Sequence, residues 1–324
     1  MLFNVCALYI KIMNNENQTI HKSNDNLTIY GWNEKLNQLK QESIYSTLAH
    51  GRVSIVHRTC YEVISGNGLF QCELTGNMMY GKSDDELPCT GDWVIFQPFD
   101  EHKGIIVDRL PRERTLYRKK SGTVADKQAI ASYVDKAFIV QSLDDNFNVR
   151  RVERFMVQIM EENISSVLVL NKADLDFDRQ SVEEQIKHIS SQIPVFFTSI
   201  HQLETIVRLR KSISEGETVV FVGSSGVGKS SLVNALCEKP VLLTSDISLS
   251  TGKGRHTSTR REMVLMDSSG VLIDTPGVRE FGLAIDNPDS LAEVLEISDY
   301  AELCRFKDCK HINEPGCAVL EAVK

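Results

Sequence analysis

Short apolar runs with a strand-like alternation dominate residues 48–110. Five such runs, rich in β-branched and aromatic residues, are separated by Gly, Asn, Asp and Pro: GRVSIVH, CYEVISG, GLFQCELTG, GDWVIFQP and KGIIVDRL. Five strands in about sixty residues are typical of a small barrel such as the OB-fold. An SH3-like barrel or a purely structural domain would give a similar pattern, so the strands alone leave function open.

From Tyr133 onward the pattern changes to alternating strands and helices. The apolar runs VDKAFIVQS, ISSVLVLNKAD, IPVFFTSI and ETVVFVG predict buried strands, and NVRRVERFMVQIMEEN, SVEEQIKHISSQ and ETIVRLRKSI predict the helices between them. The first of these helices has one apolar face, formed by Val152, Phe155, Met156, Ile159 and Met160. The alternation predicts a parallel sheet with helices on both faces.

The strand ETVVFVG runs directly into a glycine-rich loop and a helix. The loop reads G-x-x-x-x-G-K-S, the phosphate-binding loop (P-loop) of nucleotide hydrolases, in the strand–loop–helix context that the motif requires. Its glycines let backbone amides wrap around phosphates, Lys229 neutralises the β- and γ-phosphates during catalysis, and the Ser230 hydroxyl ligates Mg²⁺. The predicted phosphate-binding residues are Gly223, Ser224, Ser225, Gly226, Val227, Gly228, Lys229, Ser230 and Ser231.

A second phosphate motif, DTPG, ends the strand GVLIDTPGV forty-five residues after Lys229. Asp274 fits the carboxylate that holds Mg²⁺ directly or through water, and the Gly277 amide can meet the γ-phosphate. On its own this tetrapeptide could be a common turn. Its place behind an apolar strand, downstream of a P-loop, favours the nucleotide site.

The tetrapeptide NKAD, which comprises Asn171, Lys172, Ala173 and Asp174, follows a buried strand and predicts guanine recognition. Asp174 can accept hydrogen bonds from the N1–H and exocyclic amine of guanine, Asn171 can satisfy O6 and N7, and the Lys172 stem can cover the ring. A surface turn would be the better interpretation of NKAD alone, but the P-loop and DTPG make GTP the expected nucleotide. The run TSI at 198–200, at the end of the next strand, occupies the position of the loop that backs the guanine through backbone contacts, and Ser199 is its predicted site residue.

NKAD precedes the P-loop here, whereas in an ordinary GTPase it follows. All of these loops lie at the carboxyl ends of parallel strands, where open α/β sheets bind ligands, so the site requires closeness in space and not a particular chain order. The sequence therefore predicts a circularly permuted GTPase domain. The permutation places the DTPG segment, which senses the γ-phosphate, at the C-terminal edge of that domain.

Near the C-terminus, four soft ligands lie within fourteen residues in the pattern C-x4-C-x-H-x5-C. Three thiolates and an imidazole suit a closed, structural, tetrahedral zinc site, with no position left open for catalysis. The alternative is that these cysteines pack as small apolar side chains. The predicted zinc ligands are Cys304, Cys309, His311 and Cys317.

Composition limits the classes of protein that this chain can belong to. It has 324 residues, 42% hydrophobic and 25% charged, which is ordinary for a soluble protein of two or three units. No apolar run approaches the roughly 20 residues needed to span a bilayer, and the start MLFNVCALYIKIM lacks the basic region and cleavage site of a signal peptide. Eight cysteines without a secretory signal indicate a reducing compartment, so we expect a cytoplasmic location.

The net charge of −8 argues against general affinity for nucleic acid, but the charge is uneven. Residues 103–120 contain seven Lys or Arg against two acids. From the sequence alone, this basic run is either a solvated surface or a local phosphate-binding face.

The motifs together resemble the ribosome small-subunit-dependent GTPase A family over residues 51–319. The resemblance rests on GDWV, VDKAFIVQ, NKAD, GSSGVGKSS, GRHTSTR, DTPGVREFGL and CKHINEPGCAV, in this order. It implies an N-terminal OB-fold, a permuted GTPase domain and a C-terminal zinc domain, in a cytoplasmic protein that matures the small ribosomal subunit and is stimulated by it. It also implies that the barrel and the basic run contact ribosomal RNA. Members of the family continue past the zinc ligands with a helical tail, whereas this sequence stops at Lys324.

The segment STGKGRHTSTR lies where the first switch of a GTPase belongs. Thr257 is the candidate for the threonine that senses Mg²⁺, with Thr259 as the alternative. Val278 follows DTPG at the place where many GTPases carry the glutamine that orients the attacking water, and valine cannot do so. His256 is the nearest polar candidate, and the family resemblance points to it too; its alternative role is contact with phosphate or RNA.

These observations predict four segments and one main function. The segments are a disordered extension at 1–44, an OB-fold at 45–120, the permuted GTPase domain at 125–283 and a zinc domain at 284–324. We expect a monomeric GTP hydrolase that acts on the small ribosomal subunit, with Mg²⁺–GTP and one structural zinc. The alternatives are a nucleotide-dependent RNA-binding module and a GTPase that acts on another RNA.

Overall fold

The computed structural model describes residues 27–79, 83, 85–119, 127–238, 262–267, 270–274, 300, 303–306, 309 and 315–318. The chain divides into two compact units, Met1–Pro111 and Arg112–Lys324. None of the helices in the described part of the chain is long and apolar enough to cross a membrane.

The first unit is a closed five-stranded barrel with strand order β1-β2-β3-β5-β4, in which β4 returns to pair with β1. Its pairs are antiparallel except for β3 with β5, which is parallel. This order is that of an OB-fold, which confirms the predicted fold of the barrel. The elements are α1 (Glu34–Glu42), β1 (Ala49–Val56), β2 (Tyr61–Ser65), β3 (Gly68–Leu74), α2 (Gly76–Met79), β4 (Trp93–Asp100) and β5 (Lys103–Arg109).

Alternate residues of these strands fill the interior of the barrel. The buried cluster includes Val53, Val63, Phe70 and Phe96, and the two phenylalanine rings lie 5.1 Å apart. Gly104 of β5 lies directly against this cluster, because a Cβ there would come within 2.7 Å of the Phe96 ring. The apolar alternation in the sequence therefore corresponds to the inward face of each strand.

Residues 27–44 are ordered, so the prediction of a disordered extension is wrong for this part of residues 1–44. Asn33 caps α1 by accepting a hydrogen bond from the Leu36 amide at 3.1 Å, and Leu36 is buried. The Trp32 ring packs 4.9 Å from the Trp93 ring of β4. The polar composition of this segment led to the prediction of disorder, but its few apolar residues pack on the barrel. Residues 1–26 lie outside the described residues.

The second unit contains a six-stranded sheet and a separate hairpin. Strands β10, β9, β8, β11 and β13 follow one another in parallel, and β12 pairs antiparallel with β13. The elements are β6 (Leu116–Lys119), β7 (Lys127–Ala131), β8 (Lys136–Ser142), α3 (Val149–Glu161), β9 (Ser165–Asn171), α4 (Arg179–Gln185), α5 (Lys187–Ser190), β10 (Val195–Thr198), α6 (Leu203–Lys211), β11 (Thr218–Val222), α7 (Lys229–Leu236), β12 (Glu262–Leu265) and β13 (Val271–Asp274).

A buried hydrophobic core holds α6 and α7 against the sheet. Phe138 of β8 and Phe221 of β11 meet edge to face at 5.3 Å, beneath Leu209 and Leu232 of the two helices. All four side chains are completely buried. The carboxyl ends of β8, β9 and β11 are thereby held side by side, and the predicted site loops begin at these ends.

The boundary between the two units differs from the predicted one at residue 120. The hairpin β6–β7 belongs to the second unit, since Tyr117 pairs with Ala129 and Gln158 of α3 donates a hydrogen bond to the Tyr117 carbonyl at 2.7 Å. The barrel strands have already ended at Arg109. Within the predicted zinc domain at 284–324, the structure describes residues 300, 303–306, 309 and 315–318.

Candidate nucleotide-binding site

The P-loop leaves β11 at Gly223 and enters α7 at Lys229, as the motif predicts. Gly223 has φ +151°, and a Cβ at this residue would lie 2.3 Å from the Val140 carbonyl oxygen of the neighbouring strand. Gly228 has φ +93°, and a Cβ there would lie 2.3 Å from the Asn171 Nδ2. A side chain at the first position would clash with backbone, one at the second would clash with the Asn171 side-chain amide, and both positions have the positive φ that favours glycine.

Lys229 lies against the loop that it follows. Its Nζ donates hydrogen bonds to the carbonyl oxygens of Gly223 at 2.8 Å and Ser224 at 2.7 Å. The ammonium group is therefore held at the centre of the P-loop. From this position it can exchange carbonyl oxygens for the more strongly attracting oxygens of a phosphate.

NKAD and the P-loop are joined by a buried hydrogen bond. Asn171, the last residue of β9, donates from Nδ2 to the Val227 carbonyl oxygen at 2.8 Å, across 56 residues of sequence. Its Oδ1 accepts from the Thr198 hydroxyl of β10 at 3.3 Å. The structure thus brings NKAD and the P-loop together despite their reversed order in the chain.

Asp174 is exposed and is oriented from behind by Ser199. The Ser199 hydroxyl donates to Asp174 Oδ1 at 2.5 Å and accepts from the His201 amide at 3.0 Å. The hydrogen bond from Ser199 lowers the pKa of the Asp174 carboxyl below its usual value. An ionised carboxylate with an exposed face is the acceptor that the N1–H and amine of guanine require.

A cavity of about 220 Å³ opens between these motifs. Its lining comes from the NKAD loop after β9, the loop after β10, and the junction of the P-loop with α7. The lining residues are Asn171, Lys172, Asp174, Leu175, Ile200, His201, Gly228 and Ser231. Ile200 belongs to the run predicted to back the guanine, whereas sequence reasoning missed Leu175 and His201, since their contribution comes from neighbouring a motif and not from residue type.

Several predicted site residues lie in parts of the chain that the structure does not describe. His256, Thr257 and Gly277 lie outside the described residues, and Asp274 is described only as the backbone end of β13. That strand pairs in parallel with β11, which ends at the P-loop. Ser225 and Gly226 lie within the P-loop, Ala173 lies within the NKAD loop, and Ser230 lies in the first turn of α7.

The basic residues of the run 103–120 differ in their partners and exposure. Arg114 pairs with Asp135 at 2.9 Å, and Arg118 donates to Gln128 at 2.9 Å. Lys103 is more than half exposed and lies 3.7 Å from Asp100. Some of these charges are thus engaged within their own unit, and contact with RNA by the remainder stays a prediction.

Three of the four predicted zinc ligands lie together. The sulfur atoms of Cys304, Cys309 and Cys317 are all within 4.8 Å of one another, and Cys317 is buried. The sulfurs of Cys304 and Cys317 are 3.8 Å apart. A tetrahedral zinc with Zn–S bonds of about 2.3 Å separates its sulfurs by roughly this distance, so the cluster is compatible with zinc. His311 lies outside the described residues.

The fold and the joined motifs define a circularly permuted P-loop GTPase with an N-terminal OB-fold barrel. The family model for the RsgA GTPase matches residues 109–284. The chain belongs to the RsgA GTPase family and is a GTP hydrolase.

Comparison with individual proteins agrees with this assignment. The chain is 76% identical over 300 residues to "Small ribosomal subunit biogenesis GTPase RsgA 1" of Bacteroides thetaiotaomicron, which covers 93% of this chain and 84% of that protein. The crystal structure of YjeQ from Thermotoga maritima matches with a TM-score of 0.64 and 26% identity, over 85% of this chain and 91% of that one. The crystal structure of YloQ, described as a circularly permuted GTPase, shares the fold with a TM-score of 0.58 and 21% identity over 87% and 90% of the two chains.

Proposed function

We propose that this protein is a monomer that binds the small ribosomal subunit in the cytoplasm and hydrolyses GTP there to assist late maturation of that subunit. The nucleotide part of the proposal is supported by the hydrogen bond from Asn171 to Val227, which holds the NKAD loop against the P-loop. The ribosomal part is supported by the name of the 76% identical relative, which is a small ribosomal subunit biogenesis GTPase.

Each motif residue has a defined task in this proposal. Asp174 and Asn171 read the base, the amides of residues 223–231 surround the phosphates, and Lys229 neutralises charge that develops as the γ-phosphate leaves. Mg²⁺ enters with GTP, and Ser230, Thr257 and Asp274 are the residues that would hold it. When bound, it neutralises the phosphate oxygens.

Subunit dependence is tested by measuring phosphate release with purified small ribosomal subunits. We expect slow turnover by the free protein, because Val278 cannot orient the attacking water, and stimulation by on the order of 10³-fold when the subunit is added. An equal amount of tRNA serves as the control. Stimulation by tRNA instead would favour a GTPase that acts on another RNA, and no stimulation by either would favour a binding module with incidental hydrolysis.

His256→Ala tests which group positions the water. If His256 orients the water on the subunit, the variant keeps its affinity for GTP and for the subunit but loses roughly 10- to 100-fold of the stimulated rate. His188→Ala is the matched control, because His188 is held by Glu153 at 2.9 Å and takes no part in the site. If the His256 variant kept the full stimulated rate, the attacking water would have to be positioned by a ribosomal group or by the backbone.

The cysteine cluster is proposed to bind one structural zinc through Cys304, Cys309, His311 and Cys317. Thiolate donors at tetrahedral spacing fit this metal, and four protein ligands leave no position for a reaction. The zinc would crosslink the C-terminal segment and supply stability to it.

Elemental analysis tests the zinc proposal. We expect about one zinc per chain in the purified protein, and we expect Cys309→Ser to release it while nucleotide affinity changes less than roughly twofold, because the P-loop does not depend on this cluster. Cys60→Ser, on the barrel, is the matched control and should keep the metal. Folded wild-type protein without zinc would contradict the assignment.

A further inference from the structure

The loop at residues 143–148, between β8 and α3, contacts both halves of the nucleotide site. At its first end, Asp144 accepts a hydrogen bond from Lys172 Nζ at 2.8 Å through one carboxylate oxygen. Its other oxygen accepts from the Ser142 hydroxyl at 2.6 Å and from the Asn146 amide at 3.0 Å. Lys172, the second residue of NKAD, is thereby held through a carboxylate that belongs to a different loop.

At its second end, the same loop reaches the P-loop. Asn146 Nδ2 lies 3.3 Å from the Ser224 hydroxyl oxygen, and Arg151 Nη1, from the first turn of α3, donates to that oxygen at 3.0 Å. Arg151 also donates to Asn146 at its Oδ1, 3.0 Å away. A continuous chain of contacts therefore runs from Lys172 through Asp144 and Asn146 to Ser224.

The contacts along this chain keep Asp144 ionised and paired with Lys172. Burial alone would raise the pKa of the Asp144 carboxyl, but the hydrogen bonds from Lys172, Ser142 and the Asn146 amide lower the pKa overall, so the carboxylate is ionised at neutral pH. The Lys172–Asp144 pair is about one-third exposed on both sides. Ion pairs this exposed contribute little to the stability of a fold. The value of this pair is therefore in orienting Lys172 and not in holding the protein together.

Ser224 is contacted from two directions. Its carbonyl oxygen accepts from Lys229 Nζ at 2.7 Å, and its hydroxyl oxygen accepts from Arg151. The Arg151 contact does not involve Lys229, so it stays available to hold Ser224 if Lys229 turns to a phosphate. Arg151 also brings a positive charge to the edge of an anion-binding loop.

We propose that Asp144 and Arg151 are positioning residues that couple the base-reading loop to the phosphate-binding loop. They order Lys172 and the P-loop before the nucleotide arrives and so reduce the entropy that binding must remove. The inference rests on the proposed nucleotide site, since neither residue contacts the reacting atoms. Its consequence is tighter binding of GTP and GDP alike with an unchanged chemical step.

Titration with fluorescently labelled GTP and GDP tests this role. Arg151→Ala and Asp144→Ala should each weaken both nucleotides by roughly three- to tenfold, which is the effect of leaving one or two side chains to be ordered on binding. The basal kcat should stay within about twofold, and the unfolding midpoint of the nucleotide-free protein should not move, because these contacts are partly exposed. Arg150→Ala, an exposed neighbour on the same helix, is the matched control and should bind like the wild type.

A double-mutant cycle identifies the path of the effect. If Arg151 acts through the Ser224 hydroxyl, Arg151→Ala should weaken binding by less than about twofold in a Ser224→Ala background, and Arg151→Lys should recover part of the affinity. The proposal would be overturned if Arg151→Ala and Asp144→Ala both bound nucleotide within twofold of the wild type. It would also be overturned if Arg151→Ala lost the same affinity in the wild-type and Ser224→Ala backgrounds. The nucleotide site itself is judged separately by Lys229→Ala, so failure of the coupling would leave that assignment standing.

Discussion

Replacing Lys229 with alanine is expected to weaken GTP and GDP binding by on the order of 10³-fold, because one ammonium group contacts several phosphate oxygens at once. In the structure its Nζ lies within 2.8 Å of two P-loop carbonyl oxygens, at the centre of the loop that the phosphates would enter. Among the described P-loop residues Lys229 is the one cation, and the nearby Arg151 is engaged with Asn146 and the Ser224 hydroxyl. Isothermal titration with each nucleotide in the presence of Mg²⁺ measures the effect.

The loss must come from the site and not from unfolding. Lys187→Ala removes the same charge from an exposed position, 77% accessible, on α5, and should bind nucleotide like the wild type. The thermal midpoint of the Lys229 variant without nucleotide should lie close to that of the wild type, since α7 is held by its buried residues Leu232, Val233 and Leu236. A variant that bound GTP within tenfold of the wild type would remove Lys229 from the phosphate site.

Much of the fold could be predicted because its signals are local. The barrel strands alternate apolar and polar residues along each strand, and the P-loop glycines report backbone constraints that Gly223 and Gly228 satisfy within a few residues. The reversed order of NKAD and the P-loop also follows from local motifs, since parallel strands present their carboxyl ends along one edge.

The features that escaped prediction depend on distant partners or on weak local signals. Trp32 and Leu36 sit in a polar stretch, and only their contact with the barrel makes them anchors. The run SVEEQIKHISSQ has no Gly or Pro, yet the structure divides it into α4 and α5 at Ile186. Arg151 reads as one of several polar residues on an amphipathic helix, and its importance appears only when the P-loop, 73 residues away, is placed beside it.

Exchange of Asp174 for asparagine is expected to change the nucleotide preference from GTP to xanthosine triphosphate. In the proposed site the carboxylate accepts hydrogen bonds from the N1–H and amine of guanine, whereas an asparagine amide would have to face the amine with a donor of its own. Xanthine carries a carbonyl oxygen in place of that amine, so the amide matches it. The variant loses one hydrogen bond to guanine and gains one to xanthine. The ratio of the two affinities should therefore change by on the order of 10³-fold.

The measurement is competition between the two nucleotides against labelled GDP, for the wild type and the variant. Asp176→Asn is the matched control, because Asp176 is exposed in the same loop but does not line the cavity, and it should leave the preference for GTP intact. Ser199 supplies a second check: Ser199→Ala keeps the carboxylate but removes the hydroxyl that orients it, so GTP binding should weaken modestly with no gain for xanthosine triphosphate. If the Asp174 variant bound GTP as tightly as the wild type does, NKAD would not be the base-reading element and the cavity beside it would have to accept a different ligand.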